Sequence, residues 1–210
     1  NSKINFGLNI IIDSDVKKGS GLGASSALTI AILCGLELLK EKENILNLNK
    51  IANYAYKAER MEFGHLGGWQ DYFATAFGGI KWIKMNDKDI EVSRINLKNE
   101  VINEINYNML SFNFGKTRDS SKLQKNNIIN GKISKKSKNY LKASKIIAYQ
   151  MKKNLLDGNL RKFYKLLDKS WIIKNKINKS SNTRELLKIY KTAKSKGAIS
   201  GKLLGAGKSV

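Results

Sequence analysis

Gly19-Ser-Gly-Leu-Gly-Ala-Ser-Ser26 is the stretch from which the rest of the chain can be read. A run with strand character, Asn5 to Ile12, leads into it through a polar turn, and an apolar helical run, Ala27 to Leu39, leads out. Strand, glycine loop and helix together bring backbone N–H groups and a helix N-terminus onto one point, which is an arrangement that holds anions. Glycines admit backbone conformations closed to other residues and let N–H groups approach phosphate oxygens. Ser25 or Ser26 is the expected N-cap of the helix.

Three other kinds of glycine loop fit less well. A dinucleotide fold wants G-x-G-x-x-G, but here Ser26 takes the third glycine's place, and two helices follow where a strand with an acidic tip is needed. A phosphate loop of the Walker type is approached near Gly207-Lys208-Ser209, yet its earlier glycine is Gly201, one residue out of register, and no helix follows. A plain turn before a core helix accounts for the loop but not for what lies downstream.

The chain has 210 residues and 41% hydrophobic residues, enough for one large or two small domains with a real core. Its net charge of +22 is lopsided: residues 1–100 carry 13 Lys/Arg against 12 Asp/Glu, and residues 101–210 carry 26 against 5. A basic half attracts nucleic acid or phosphorylated metabolites. It lacks interleaved aromatics or any nucleic-acid motif, so a basic nucleic-acid-binding protein is the weaker reading. The single Cys34 excludes an internal disulfide and fits a reducing, cytoplasmic setting. No signal peptide or membrane span is visible, because the uncharged stretch Gly19–Leu36 begins with eight small or weakly apolar residues. Both ends read as cut.

Along the chain, the helix from Ala27 is apolar nearly all round and is expected to be buried. A second helix runs from about Leu48 to Phe63, with Ile51, Ala55 and Ala58 on its packing face, and stops at Gly64. Trp69 to Phe77 forms a short helix, and Ile80 to Met85 and Glu91 to Leu97 form strands. A composition shift after Glu104 sets the domain boundary at 104/105. Asn108 to Phe114 reads as a strand. Long basic helices follow at about 136–156 and 159–178, separated by Asp157-Gly-Asn159, then another at about 182–196. Gly201-Lys-Leu-Leu-Gly-Ala-Gly207 is a second glycine-rich segment.

Two carboxylates stand out. Asp71 follows Gly67-Gly68 and sits among Trp69, Tyr72 and Phe73, where an unpaired charge is costly. Glu59 lies twelve residues earlier, near a helix end. His65, the lone histidine, has no partner for a triad or a metal site.

Taken in order, Gly19 to Ala27, Ala58-Glu59, Gly67-Gly-Trp-Gln-Asp71 and Gly201 to Gly207 resemble the motifs of the GHMP small-molecule kinases. Gly67 to Gly79, Phe114-Gly-Lys-Thr-Arg-Asp-Ser-Ser121, Ser170-Trp171 with Lys174, and Ser200 to Gly207 narrow the likeness to the D-glycero-D-manno-heptose 7-phosphate kinases within that family. The resemblance implies a two-layer α+β fold. A domain like ribosomal protein S5 domain 2 would occupy residues 1–104 and a ferredoxin-like domain residues 105–210, both truncated, with the active site between them. It implies ATP and Mg²⁺ as cofactors and transfer of the γ-phosphoryl to the anomeric hydroxyl of a phosphorylated sugar.

In roles, the resemblance assigns nucleotide binding to Gly19, Ser20, Gly21, Leu22, Gly23, Ala24, Ser25 and Ser26, with Gly205, Ala206 and Gly207 closing the floor. Ser26, or Ser25, and Glu59 would ligate Mg²⁺, and Asp71 would orient or deprotonate the acceptor hydroxyl. Gly68, Thr117, Arg118 and Ser120 are substrate candidates. The sequence departs from the family where Lys17-Lys18 replaces a proline before the first loop and Lys208-Ser209 replaces further glycines. The family's first motif and last strands are absent. Another sugar-1-kinase of the same family, fucokinase- or galactokinase-like, is the nearest rival.

Overall fold

The computed structural model describes residues 6–16, 20–39, 46–62, 68–86, 89–112, 135–177 and 184–204. Two compact units divide the chain, Asn1–Arg94 and Ile95–Val210.

In the first unit, α1 (Ala24–Leu38), α2 (Leu48–Tyr56) and α3 (Gln70–Phe77) surround a core of Ile30, Ile51, Ala52, Ala55, Tyr72 and Phe73. Asn47 starts α2 by accepting the Lys50 N–H at 3.0 Å, the cap that a short helix needs. The helix then continues as a π turn, Lys57–Glu62, in a stretch expected to be regular helix. Antiparallel strands β1 (Lys81–Met85) and β2 (Ile90–Arg94) pair from Lys81↔Arg94 to Met85↔Ile90 and lay Ile83, Ile90 and Val92 against the core. Lys81 donates to the Ala74 carbonyl and Arg94 to that of Phe77 at 3.4 Å. Two cations thereby satisfy the C-terminal carbonyls of α3, the end where positive charge is favourable. Burial, with Arg94 beside it, pushes the Lys81 ammonium below its usual range.

The structure departs from three expectations in this unit. The N-cap of α1 is neither Ser25 nor Ser26 but Gly23, in the left-handed region at φ 77°. The run Phe6–Ile12 forms no ladder among the described residues; Ile11 is 88% exposed, and a lone strand without a partner has nothing to stabilise it. Helix α1 is not buried all round, since Ile30 is enclosed whereas Leu28 and Leu38 are exposed. Helices α2 and α3 pack against it, and Glu59 of the π turn meets its first turns.

The described regular structure of the second unit is helical: α4 (Asn99–Asn108), α5 (Lys135–Leu156), α6 (Leu160–Ile177) and α7 (Arg184–Ser195). α5 and α6 form a helical hairpin whose turn places Gly158 at φ 69°, and Asn159 caps α6 by accepting the Lys162 N–H at 3.2 Å. Leu155, Leu160 and Tyr164 make its core, with Leu97, Val101 and Ile105 packed on it. Helix α4 was not expected, and the strand expected at Asn108–Phe114 is helix end and unpaired chain through Phe112. Val101 and Ile105, one turn apart, supply the apolar stripe that makes it helical. The expected boundary at 104/105 falls inside this helix. Among the described residues, helices with two paired strands give the mixed α+β class expected from the sequence.

Candidate active site

Helix α1 begins without a side-chain cap, and no acidic residue sits in its first turn. Its opening N–H groups, those of Ala24, Ser25 and Ser26, have no intrahelical acceptor. Gly21 and Gly23, at φ 80° and 77°, turn the chain sharply into the helix, a path that residues with a Cβ rarely follow. Within the loop, the Ser20 hydroxyl accepts the Leu22 N–H at 3.3 Å. The result is an uncapped, positively polarised helix end reached through a glycine turn.

Glu59 comes to this end from 34 residues away. It lies one helical turn beyond Ala55 and two beyond Ile51, both wholly buried, so its carboxylate falls on the apolar stripe and is only 8% exposed. A carboxylate there is costly unless its oxygens are hydrogen-bonded. Ser25 Oγ donates to Glu59 Oε1, and Thr29 Oγ1, one turn further along α1, lies 3.5 Å from Oε2. Thr29 Oγ1 is also 3.1 Å from the Ser25 carbonyl. Glu59 sits on the π turn, a wider turn that recurs at functional sites. Ser25 is exposed, so the pair stands at the margin of the core.

Ser26 differs from its neighbour: it is 2% exposed and lies beside the Tyr72 hydroxyl. Of the two serines named from the sequence for a metal, Ser25 is therefore the one that reaches Glu59. Tyr72 is fully buried in α3, with the Arg60 guanidinium 5.4 Å from its ring centroid. Its hydroxyl has no hydrogen bond of good geometry among the described residues. Burial first, and Glu59 next to it, push the phenol well above its ordinary range. Tyr56 meets Tyr72 edge-on at 5.9 Å and stacks on Trp69 at 3.6 Å.

Asp71 opens α3 and is exposed, one residue before Tyr72. The same first turn thus anchors one side chain beside Ser26 and Glu59 and presents the other to solvent. Gly68 is exposed two residues before the helix. Gly19, Gly205, Ala206, Gly207, Thr117, Arg118, Ser120 and His65 lie outside the described residues. Among the described residues, no group of three or more His, Cys, Asp or Glu side chains is placed to hold a metal, and no helix is long and apolar enough to cross a membrane.

Sequence reasoning missed Thr29 and Tyr72. Thr29 was legible in principle, as the one hydroxyl in the apolar run 27–36, four residues from Ser25. Tyr72 carried no such signal, because an aromatic in an apolar helix reads as core.

Residues 1–79 match the model of the GHMP kinases N terminal domain. Over 197 residues the chain is 34% identical to a D-glycero-alpha-D-manno-heptose 7-phosphate kinase from Campylobacter jejuni, covering 92% of this chain and 57% of that protein. A Campylobacter jejuni crystal structure described as a sugar kinase superposes with a TM-score of 0.61 at 30% identity, over 92% of this chain and 54% of that one. L. major mevalonate kinase, solved in complex with R-mevalonate, superposes with a TM-score of 0.56 at 18% identity, over 89% and 54%, a likeness of fold. The chain spans little more than half the length of these relatives.

Proposed function

We propose, from the match of residues 1–79 to the model of the GHMP kinases N terminal domain, that this chain acts in ATP-dependent phosphorylation of a sugar. The acceptor is the anomeric hydroxyl of D-glycero-D-manno-heptose 7-phosphate and the product the 1,7-bisphosphate, on the route to nucleotide-activated heptose for surface polysaccharide. The heptose choice draws its support from the 34% identity to a kinase of that name. The protein works in the cytoplasm, where ATP is made available.

The observation that carries the reading is the pairing of Ser25 with Glu59 at the uncapped start of α1. The loop amides of Gly21 to Ser26 and the helix end hold the β- and γ-phosphates. A hydroxyl and a carboxylate side by side are hard oxygen donors of the kind Mg²⁺ takes, with phosphate oxygens and waters completing its shell. Ser25 and Glu59 would hold the ion, which when bound neutralises charge on the phosphates. Thr29 keeps the Glu59 carboxylate turned toward Ser25. Asp71, exposed and uncommitted to the core, orients the sugar hydroxyl and takes its proton. The family resemblance assigns nucleotide binding to Gly205, Ala206 and Gly207 as well, and sugar binding to Gly68, Thr117, Arg118 and Ser120, the guanidinium of Arg118 being of a kind that suits a 7-phosphate.

The test uses the full-length protein with ATP, Mg²⁺ and a panel of free and 7-phosphorylated sugars. Heptose 7-phosphate is expected to give the highest kcat/KM. Asp71→Asn should bind ATP normally and lose about 10²–10⁴-fold in kcat. Preference for a free fucose or galactose would move the substrate within the family, and near-normal turnover of Asp71→Asn would remove Asp71 from the chemistry.

A further inference from the structure

Tyr72 carries a hydroxyl that the packing of α3 does not explain. The side chain is fully buried and shares the core with Ile51, Ala55 and Phe73. Phe73, its neighbour on α3, is almost as deeply buried with no hydroxyl at all. Tyr72 Oη is sealed from solvent and makes no hydrogen bond of good geometry among the described residues. A buried hydroxyl in that condition costs stability, and a phenylalanine would fill the same space without the cost.

The hydroxyl is nevertheless not surrounded by hydrocarbon alone. Ser26 and the Glu59 carboxylate stand beside it, both within the core at 2% and 8% exposure. The ring is held in place, with Tyr56 edge-on at 5.9 Å and the Arg60 guanidinium 5.4 Å from its centroid. Ser25, Ser26, Glu59, Arg60 and Tyr72 all belong to the first unit.

Glu59 is where a further donor has a use. Ser25 Oγ donates to its Oε1, and that bond occupies oxygen lone pairs that a cation would need. A cation held by both residues displaces it. The carboxylate, on an apolar stripe, then calls for a donor from the protein side, and Tyr72 Oη is a buried donor next to it. Outer hydrogen bonds of this kind commonly orient the ligands of a metal.

We infer that Tyr72 is a positioning residue for Glu59: its buried hydroxyl, beside Ser26 and the carboxylate, holds Glu59 in the orientation that takes a divalent cation together with Ser25, at a cost to the stability of the fold without the ion. The cation clause rests on the phosphoryl-transfer reading above; the stability clause does not.

Tyr72→Phe in the full-length protein keeps the ring and removes the one hydroxyl. It is compared with the wild type, with Glu59→Gln and with the double variant. The measurements are thermal melting without ligand, and Mn²⁺ binding in the presence of a non-hydrolysable ATP analogue, followed by electron paramagnetic resonance. The melting temperature of Tyr72→Phe should hold or rise. Its Kd for Mn²⁺ should rise about tenfold, the scale of outer contacts to metal ligands. In the Glu59→Gln background the same change should move the Kd less than about twofold, because the group it acts through is already altered. A residue that only packs gives the reverse, a lower melting temperature with an unchanged Kd. A lower melting temperature, or a Tyr72→Phe protein that does not fold, overturns the inference, since the hydroxyl then serves the fold itself. An unchanged Kd overturns the positioning role, and equal losses in both backgrounds overturn the route through Glu59. A wild-type protein that takes up no Mn²⁺ with the analogue overturns the phosphoryl-transfer reading instead, and the melts without ligand then decide alone whether the hydroxyl is held at a cost.

Discussion

Glu59 and Asp168 are both carboxylates that accept from hydroxyls, yet their surroundings set them to opposite tasks. Glu59 faces the side chains of Ser25 and Thr29 beside a helix end that has no cap. Those short hydroxyls can turn to another ligand without moving the backbone. Asp168 of α6 holds the Gly201 N–H, the Tyr190 phenol fixed in an aromatic contact with Trp171, and the Lys194 ammonium, which also holds the Ile199 carbonyl. Releasing any of them moves the chain. A carboxylate tied to rotatable hydroxyls is equipped for exchange, and one tied to backbone is equipped for placement.

The same chemical change at both sites tests that contrast, and its largest effect is expected at Glu59. Glu59→Gln keeps the shape and hydrogen-bonding reach but removes the charge that a metal needs. The Mg²⁺ concentration for half-maximal activity should rise about 10–100-fold, in line with changes of metal-site groups, while the melting temperature holds or rises slightly because a neutral amide is easier to bury. Asp168→Asn should leave the Mg²⁺ titration where it was. An unchanged titration in Glu59→Gln, or equal shifts in both variants, would erase the distinction.

A smaller effect separates the two glycine segments. Gly23 has open space around it but sits at φ 77°, so Gly23→Ala is strained by conformation alone, at about 1–2 kcal/mol. Gly201 is not at positive φ; its difficulty is the Tyr190 ring 3.3 Å away, and crowding of this kind costs about 1–3 kcal/mol when the neighbour cannot yield. Combining each with Tyr190→Ala distinguishes them by chemical denaturation. The truncation should relieve much of the Gly201→Ala penalty and none of the Gly23→Ala penalty. Relief at both, or at neither, would mean the two glycines are there for the same reason.

The long helices α5, α6 and α7 and the β1–β2 hairpin were legible in the sequence, because their apolar residues recur at one period over several turns or alternate along a strand. Glu59 and the glycine loop also came forward as a pair. What stayed hidden were features decided by a single residue's backbone or by distance. The left-handed Gly23 cap displaced two good N-cap serines, and the π turn at Lys57–Glu62 has no compositional mark. Phe6–Ile12 has strand propensity but no described partner, and propensity alone does not make a ladder. Helix α4 was obscured by the composition shift running through it. Asp168 did leave a trace, as one of only five acids in the basic half, but its partners at 190 and 201 are brought together only by the fold.

The mildest expected effect concerns pH, and it too falls on one side of the comparison. Burial and the adjacent Asp168 carboxylate hold the Tyr190 hydroxyl up at about 12, against about 10 for an unfolded tyrosine. A group whose pKa is raised by folding contributes stability that is complete below the unfolded value and is lost as pH rises through the folded one. The neutral phenol donating to Asp168 should therefore contribute fully up to about pH 10 and fade between there and about 12. Thermal melts across that window should fall more steeply for the wild type than for Tyr190→Phe, which has no phenol to ionise. The other tyrosines and lysines titrate in both proteins and cancel in the difference. Parallel curves would mean that the Tyr190–Asp168 bond is not part of what holds Gly201, and the placement role of Asp168 would then rest on Lys194 and the backbone alone.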